Sequence, residues 1–262
     1  MEEKGIVYAA SGKKYIKEAK KSAKSVKQKM PDVSICIITN ENKKYEEFDE
    51  TVVLECEGKK IKQKIHKCPY KKAIFLDTDT YVSKDLNEVF EILNEFDLAA
   101  NQISSGYHYK IDDLPNSFPE FNSGLIAFKN NEKVKNTIKE WNKQYEKMNS
   151  SWDQKSLRYV LYKSDLRIAS LPIEYNFMIY YPAYVMAEVK VLHGRPFSKL
   201  VEVAEDMNRD LGHRVFIPRI GCLHRFDRMS VFEMARLIVK GTAMVGYEVL
   251  YRSYKCIQNL FG

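Results

Sequence analysis

The sequence predicts an α/β domain, in which a mostly parallel central sheet is flanked by helices and followed by a C-terminal helical extension. Short apolar runs alternate with segments of helical period through the first half of the chain, and this order is typical of parallel sheets. The chain has 262 residues, of which 45% are hydrophobic and 29% charged. This composition excludes collagen-like and wholly disordered proteins, and it supplies enough apolar residues for a sizeable core.

The first three predicted elements are a strand, a lysine-rich helix and a second strand. Residues 5–10 and 33–39 are apolar runs that favour buried strands. Apolar residues at spacings of three and four predict an amphipathic helix over residues 13–29, which carries eight lysines and one acid, Glu18. The net charge of the chain is +7. The lysine face is either a solvated surface or a surface attracted to anionic membranes, and we expect no nucleic-acid partner.

The alternation continues through the remainder of the chain, around a polar loop at residues 102–120. Long loops inside compact domains are often functional. The further predicted strands cover residues 51–54, 73–76, 97–100, 121–128, 167–171 and 190–192. The further predicted helices cover residues 59–70, 86–96, 132–148 and 153–162.

The cysteines and the start of the chain point to a reducing compartment. The five cysteines are widely spaced and form no CxxC pair, so we expect reduced thiols. The opening residues Glu2, Glu3 and Lys4 lead directly into the first strand without the apolar segment of a signal peptide. We therefore expect a cytoplasmic protein.

Two carboxylates, Asp77 and Asp79, follow the predicted strand over residues 73–76. In sheets of this class, ligands bind beyond the carboxyl ends of the strands. Paired carboxylates at such an end favour hard divalent cations such as Mg²⁺ and Mn²⁺, which often share their site with substrate phosphates. The motif therefore predicts a metal site, and two exposed turn aspartates are the simpler alternative.

Six segments resemble, in order, motifs of the GT-A glycosyltransferases of family 8, the group that includes glycogenin and the bacterial lipopolysaccharide galactosyltransferases. The segments are Tyr8-Ala9-Ala10-Ser11 with Tyr15, Asp77-Thr78-Asp79, Phe121-Asn122-Ser123-Gly124, Asp153-Gln154, Leu171-Pro172 with Tyr175-Asn176, and His193-Gly194. The resemblance implies a GT-A fold, which is a Rossmann-like nucleotide-diphospho-sugar transferase fold, as a catalytic domain over residues 1–200. Residues 201–262 would form a largely helical extension that faces a membrane or a partner.

The resemblance also implies roles for the residues of these motifs. Asp77, Asp79 and His193 would hold Mn²⁺ or Mg²⁺, and Asp153 and Gln154 would act at the reaction centre. The implied donor-binding residues are Tyr8, Ala9, Ala10, Ser11, Tyr15, Lys62, Asp77, Thr78, Asp79, Asn122, Ser123, Gly124, Gly194, Arg195 and Lys199.

The chain departs from the family after its histidine. Relatives often continue with HFxGxxKPW, whereas this chain reads HGRPFSK from His193. Either Arg195 or Lys199 would therefore contact the diphosphate. Either Lys62 or Lys64 would match a lysine that the family places before the DxD strand. Glu120 stands near a position where relatives often carry an aspartate.

The function implied by the resemblance is metal-dependent transfer of a hexose from a nucleotide-sugar, with UDP as the nucleotide, to an acceptor hydroxyl. Family-8 relatives retain the anomeric configuration, and Asp153 and Gln154 would then stabilise positive charge at the anomeric carbon. Inversion would instead need a carboxylate base, for which Asp112, Asp113 and Glu120 are the candidates.

The acceptor would be a glycan, a lipid-linked molecule or a protein. The basic first helix and the tail support a hypothesis of peripheral contact with the inner membrane face, for cell-surface or lipid-linked glycan synthesis. Residues 229–261 mix apolar, aromatic and cationic residues, so they predict a helix that packs on the domain or lies on lipid.

Two other functions stay open at this point. A haloacid-dehalogenase-like phosphohydrolase also places a DxD after a strand and uses the first aspartate as a nucleophile. That motif normally opens its domain, whereas here several elements precede it. An inactive glycosyltransferase-like scaffold would bind a nucleotide-sugar without turnover.

Overall fold

The computed structural model describes residues 2–55, 58–103, 110–149, 152–224 and 239, with the backbone alone at residues 58 and 59. The strands within this part of the chain are β1 (Glu2–Ala10), β2 (Ser34–Thr39), β3 (Glu50–Val53), β4 (Tyr70–Leu76), β5 (Thr80–Val82), β6 (Leu98–Gln102), β7 (Phe121–Lys129), β8 (Ile168–Leu171), β9 (Phe177–Met178), β10 (Ala183–Val185), β11 (Val191–His193), β12 (Arg214–Ile217) and β13 (Gly221–His224). The helices are α1 (Lys13–Lys29), α2 (Asn87–Ile92), α3 (Glu132–Met148), α4 (Gln154–Lys163) and α5 (Phe197–Asn208), and the 3₁₀ helices are Gly58–Lys67 and Ile173–Tyr175.

The central sheet contains seven of the described strands, in the order β3-β2-β1-β4-β7-β6-β8. Strands β1 to β4 run parallel, and β8 is parallel to β6. Strand β7 is antiparallel to both of its neighbours. The predicted mostly parallel sheet is therefore confirmed. The reversed β7 places its first residues beside the carboxyl end of β4, where Leu76 pairs with Leu125.

Each face of the sheet packs against its own set of helices. Alternate side chains of β1 point to opposite faces, so Ile6 and Tyr8 join the core beneath α1, whereas Val7 joins the core beneath α3 and α4. All three are fully buried. Burial of one such aliphatic side chain stabilises the fold by about 1.5–3 kcal/mol.

Helices α1 and α3 form where the sequence predicts them. Helix α1 turns Ile16, Ala19 and Val26 toward the sheet and its lysines away from it. Helix α3 lies between two asparagines. The side-chain oxygen of Asn131 accepts a hydrogen bond from the Val134 N–H, and Asn149 ends the helix with a left-handed φ of 43°.

Two smaller sheets complete the described part of the chain, in the strand orders β5-β11-β9 and β10-β12-β13. They share a third apolar core with α5, to which Phe177, Leu192, Val203 and Phe216 contribute. Strand β5 begins at Thr80, directly after the predicted DxD. The smaller sheets therefore bring the second half of the chain to the carboxyl end of β4.

Several predicted elements differ in length or type. The helix predicted over residues 86–96 is only Asn87–Ile92, and the segment predicted as a helix over residues 59–70 is a 3₁₀ helix. Strands β5, β9, β10, β12 and β13 and helix α5 were not predicted.

The C-terminal predictions fall mostly outside the described residues. Apart from residue 239, the helix predicted over residues 229–261 lies outside them. The proposed division after residue 200 falls within α5 and stays a prediction. No helix in the described part of the chain is both long and apolar enough to cross a membrane.

Candidate active site

Three side chains of types that could hold a metal ion meet at the carboxyl end of β4. Asp77 follows β4, Asp79 precedes β5, and the antiparallel pairing of β11 with β5 sets His193 opposite Thr80. One ligand atom from each of Asp77, Asp79 and His193 lies within 4.8 Å of the others. The sheet topology thus joins residues that are more than a hundred positions apart in the sequence.

The hydrogen bonds of His193 leave one ring nitrogen free to face the carboxylates. Asn176 donates its amide to Asn122 Oδ1 at 2.8 Å, so its own Oδ1 faces His193 Nδ1 at 3.0 Å. The Nδ1 atom therefore carries the proton. The Nε2 atom lies 3.8 Å from Asp77 Oδ2 and 3.5 Å from Asp79 Oδ1. A metal-bound histidine is typically fixed through its second nitrogen in this way.

Gly124 provides the space for this imidazole. A Cβ atom at position 124 would lie 2.2 Å from His193 Cε1 and 2.4 Å from Nδ1. The Gly124 carbonyl also accepts a hydrogen bond from the Asp77 N–H at 2.8 Å. Two carboxylates and one fixed imidazole fit Mn²⁺ or Mg²⁺, and the nitrogen ligand favours Mn²⁺.

The ammonium group of Lys62 lies between the predicted metal site and the predicted reaction centre. Its Nζ atom is 2.9 Å from Asp77 Oδ1, 3.2 Å from Asp153 Oδ2 and 2.9 Å from Ser123 Oγ. Ser123 donates in turn to Asp153 Oδ1 at 3.1 Å. Burial alone would lower the pKa of Lys62, but Asp153 and Asp77 outweigh it and raise the pKa. The group is therefore protonated at neutral pH.

The guanidinium of Arg195 joins helix α1 to the DxD segment. It donates to both oxygens of Glu18, at 2.9 and 2.8 Å, and to Asp79 Oδ2 at 2.5 Å. Thr78 also donates to Glu18, at 3.1 Å. The Arg195 N–H donates to the hydroxyl of Tyr180 at 2.6 Å. Both the side chain and the backbone of Arg195 are therefore fixed.

The two DxD carboxylates differ in their electrostatic environment. Burial raises the pKa of Asp77 above its ordinary value, although Lys62 and His193 oppose the shift. Burial alone would also raise the pKa of Asp79, but the contacts with His193 and Arg195 outweigh burial and lower this pKa to about 2. Asp79 is consequently ionised at neutral pH.

The predicted base-binding segment on β1 is only partly accessible. Tyr8 is fully buried, its hydroxyl lies 2.8 Å from Ser22 Oγ, and Ser22 Oγ lies 2.8 Å from Thr80 Oγ1. Ala10 is also buried. The residues of the segment with exposed surface are Ala9, Ser11 and Tyr15. Strand alternation turns the Tyr8 side chain toward α1, where it supports the turn that contains the DxD, and the donor contact of this segment stays a prediction.

The remaining predicted site residues occupy different places. Asn122 and Ser123 are buried beside the cluster. The Gly194 N–H donates to the Asp79 carbonyl at 2.9 Å, with a φ of 144°. Gln154 is the first residue of α4 and is partly exposed. Lys199 lies in the first turn of α5, where its ammonium is 2.7 Å from Glu202.

The geometry distinguishes several residues between which the sequence did not decide. Lys62, rather than Lys64, makes the described contacts with the carboxylates. Asp112 and Asp113 are exposed, whereas Glu120 is buried.

Sequence reasoning did not identify Glu18 or Tyr180 as part of the site. The one available signal for Glu18 was its position as the single acid among the lysines of residues 13–29.

Residues 20–199 match the family described as nucleotide-diphospho-sugar transferases. Among solved structures, the glycosyltransferase GlyE of Streptococcus pneumoniae TIGR4 is 23% identical with a TM-score of 0.55, over 69% of this chain and 48% of that chain. This chain therefore aligns with about half of GlyE.

The galactosyltransferase LgtC, solved with donor and acceptor sugar analogs, is 18% identical with a TM-score of 0.56, over 76% of this chain and 95% of that chain. No curated protein sequence is significantly similar. The likeness to these two glycosyltransferase structures confirms the predicted GT-A fold.

Proposed function

The chain belongs to the nucleotide-diphospho-sugar transferase family, and from this premise we propose that it transfers a hexose from a UDP-sugar to an acceptor hydroxyl. The observation that carries the proposal is the cluster of Asp77, Asp79 and His193, whose ligand atoms lie within 4.8 Å of one another. This cluster lies at the carboxyl end of β4, where α/β sheets bind their ligands.

Asp77, Asp79 and His193 would hold the divalent ion, Mn²⁺ or Mg²⁺, in this proposal. When bound, the ion would supply Lewis-acid stabilisation of the negative charge that develops on the diphosphate leaving group. Asn176 holds the imidazole by its Nδ1–H, at 3.0 Å, and Gly124 leaves the space that the ring occupies. These residues preorganise the site, because the ring needs no reorientation to present Nε2.

Lys62 and Arg195 would bind the diphosphate. Both cations contact the DxD carboxylates, Lys62 at 2.9 Å from Asp77 and Arg195 at 2.5 Å from Asp79. A diphosphate beside these carboxylates comes within reach of both cations, and a forked guanidinium suits phosphate oxygens. Lys199 is a weaker candidate because, within the described residues, its ammonium pairs with Glu202 on α5 rather than with a DxD carboxylate.

Asp153 is the residue that we propose at the reaction centre. Ser123 and Lys62 both bind its carboxylate, at 3.1 and 3.2 Å, so its position is fixed before a substrate arrives. A fixed carboxylate stabilises positive charge at the anomeric carbon of the transferred sugar. Gln154, the next residue, would assist it. We assign the reaction retention of configuration on the basis of the family-8 resemblance.

The acceptor would belong to a cell-surface or lipid-linked glycan. Helix α1 supports this part of the proposal, because its lysine-rich outer face suits an anionic surface. We propose a cytoplasmic protein that associates peripherally with the membrane.

The decisive experiment is calorimetric binding of UDP and GDP with and without Mn²⁺, on the wild type and on Asp79→Asn. We expect the wild type to bind UDP selectively and only with Mn²⁺. We expect at least about a tenfold loss of that affinity in Asp79→Asn, because the variant lacks one ligand charge. The control is Asp165→Asn, since Asp165 is 87% exposed and should leave the affinity unchanged.

Unchanged UDP affinity in Asp79→Asn would contradict the metal assignment. Binding of GDP instead of UDP would identify the donor as a GDP-sugar and would leave the assignment of the site residues unchanged. Metal-dependent binding without turnover of any UDP-hexose would favour the inactive scaffold. The haloacid-dehalogenase-like alternative loses its support, because the chain belongs to a transferase family.

A further inference from the structure

A second cluster of metal-binding side chains lies outside the proposed active site. Asp206 is near the end of α5, and Cys222 and His224 are two residues apart on β13. Side chains two apart on a strand share one face of the sheet. One ligand atom from each of the three residues lies within 4.8 Å of the others. The cluster therefore combines a carboxylate, a thiol and an imidazole from two packed elements.

The local hydrogen bonds orient the carboxylate toward the imidazole. The Cys222 N–H donates to Asp206 Oδ2 at 3.2 Å, and His224 Nε2 lies 3.5 Å from Asp206 Oδ1. Arg209 Nη2 also lies 3.2 Å from this Oδ1 atom. Arg209 is 64% exposed at its side chain, so its ion pair with Asp206 is weak and can be replaced.

The imidazole of His224 is incompletely satisfied within the described residues. Its Nδ1 atom is buried there without a hydrogen-bond partner. Its polar contact in that part of the chain is therefore the one between Nε2 and Asp206. Buried polar atoms without partners are rare and require an explanation, and here the ring directs Nε2 at the Asp206 carboxylate beside Cys222.

These distances suit a tetrahedral ion with mixed ligands. Zinc bonds of about 2.0–2.3 Å place neighbouring ligand atoms roughly 3.3–3.6 Å apart, and the distance from His224 Nε2 to Asp206 Oδ1 is 3.5 Å. Zinc accepts thiolate, imidazole and carboxylate together, whereas Mn²⁺ and Mg²⁺ prefer oxygen. The two clusters should therefore select different ions.

We propose that Asp206, Cys222 and His224 bind a zinc ion that joins α5 to β13, with a water molecule as the fourth ligand. On binding, the Cys222 thiol releases its proton to solvent, and the thiolate, the neutral imidazole and the carboxylate donate electron pairs to the ion. No redox change is involved. The ion would link α5 to β13 and so stabilise their packing.

The test uses Co²⁺ as a spectroscopic substitute on the metal-free full-length protein. A thiolate ligand gives a near-ultraviolet charge-transfer band that the Asp77, Asp79 and His193 cluster cannot produce, since it contains no sulfur. We expect the band in the wild type and in Asp79→Asn, its displacement by one equivalent of Zn²⁺, and its loss in Cys222→Ser. The matched control is Asp210→Asn, an exposed acid near the cluster, which should keep the band.

A second measurement keeps the proposal testable if Cys222→Ser does not fold. Zinc affinity is determined by chelator competition on Asp206→Asn, with folding checked by circular dichroism, and should fall at least about tenfold. Zinc should also raise the Tm of the wild type but not of this variant. The proposal is overturned if the wild type gives no cobalt band, if the band survives in folded Cys222→Ser, or if folded Asp206→Asn binds zinc as tightly as the wild type.

Discussion

Gly124 and His193 approach each other so closely that the glycine cannot be replaced without moving the ring. An added Cβ would lie 2.2 Å from the imidazole Cε1 and 2.8 Å from Asn122 Oδ1. Both neighbours are held by hydrogen bonds, to Asn176 and to the Gly124 N–H. The position of the proposed metal ligand is therefore determined by a residue that has no side chain.

Replacement of Gly124 by alanine tests this constraint. We expect Gly124→Ala to lower metal-dependent UDP affinity at least about tenfold, because the displaced ring no longer presents Nε2 to Asp77 and Asp79. Overpacking should also lower the free energy of unfolding by about 1–3 kcal/mol. Calorimetry measures the first effect and urea denaturation the second.

The control for this substitution is Gly212→Ala. A Cβ at position 212 meets nothing within 4 Å, but the φ of 112° strains any side chain there. This variant should lose stability and keep its UDP affinity. If both variants lose affinity equally, the effect of Gly124→Ala comes from general destabilisation, and the steric argument fails.

Single residues were predictable where a motif names them, and not where only the fold brings them together. The DxD and His193 follow family motifs, and the structure places all three within 4.8 Å. Glu18 contacts Arg195 across 177 positions of sequence, and no local pattern encodes such a pair. The burial of Tyr8 was not predictable from its motif, because the motif locates the strand, whereas the alternation of the strand decides which side chains are buried.

The elements were predictable where local signals and packing agree. Helix α3 matches its predicted range of residues 132–148, and Asn131 and Asn149 bound it. Helix α5 was missed, although Leu200, Val203 and Met207 recur at helical spacing and are buried. The short strands β5, β9 and β10 pair with strands that are distant in the sequence, so propensity alone does not reveal them.

Asp97 connects three elements through one carboxylate. Its Oδ2 atom accepts hydrogen bonds from the Arg167 N–H at 2.9 Å, before β8, and from Lys133 on α3 at 3.3 Å, and the residue itself directly precedes β6. Burial alone would raise the pKa of Asp97, but the contacts with Arg167 and Lys133 outweigh it and lower the pKa. The ionised form is therefore the one that stabilises the fold.

We expect Asp97→Asn to lower the free energy of unfolding by about 1 kcal/mol at pH 7. Because the pKa of Asp97 is lower in the folded state than in the unfolded state, this stabilisation is present above about pH 4 and is lost as the pH falls through the folded-state pKa. Urea denaturation at several pH values measures the difference in the free energy of unfolding between the wild type and Asp97→Asn. This difference should become smaller in acid.

Asp165→Asn is the matched control, since Asp165 contacts the same Lys133 at 3.5 Å but is 87% exposed. It should change the stability little at any pH. A destabilisation by Asp97→Asn that stays constant down to the lowest accessible pH would contradict the assignment to the ionised carboxylate.

The residues of the proposed active site come from segments that span most of the described chain. Helix α1 contributes Glu18, the 3₁₀ helix before β4 contributes Lys62, and the sheet β5-β11-β9 contributes His193. The parallel half of the central sheet was predictable from its alternating pattern. The antiparallel insertion of β7 was not, although it sets Gly124 beside Asp77.

The lysine face of α1 leads to a prediction for the intact protein. Full-length protein should co-sediment with anionic vesicles at low salt and should be released by high salt, because the attraction is screened within about 8–10 Å at physiological ionic strength. Zwitterionic vesicles are the control, and little protein should co-sediment with them. Protein that stays in the supernatant with anionic vesicles at low salt would contradict the proposed membrane association.

The position of Lys62 between Asp77 and Asp153 also constrains how such an enzyme can evolve. One ammonium forms ion pairs with both carboxylates and also contacts Ser123, so replacing any one of these four residues changes the environment of the other three. Substitutions among them should be strongly epistatic, with double variants far from the sum of the single ones. A lineage acquiring a new donor sugar would therefore change these residues together, and its single-step intermediates would be less stable or less active.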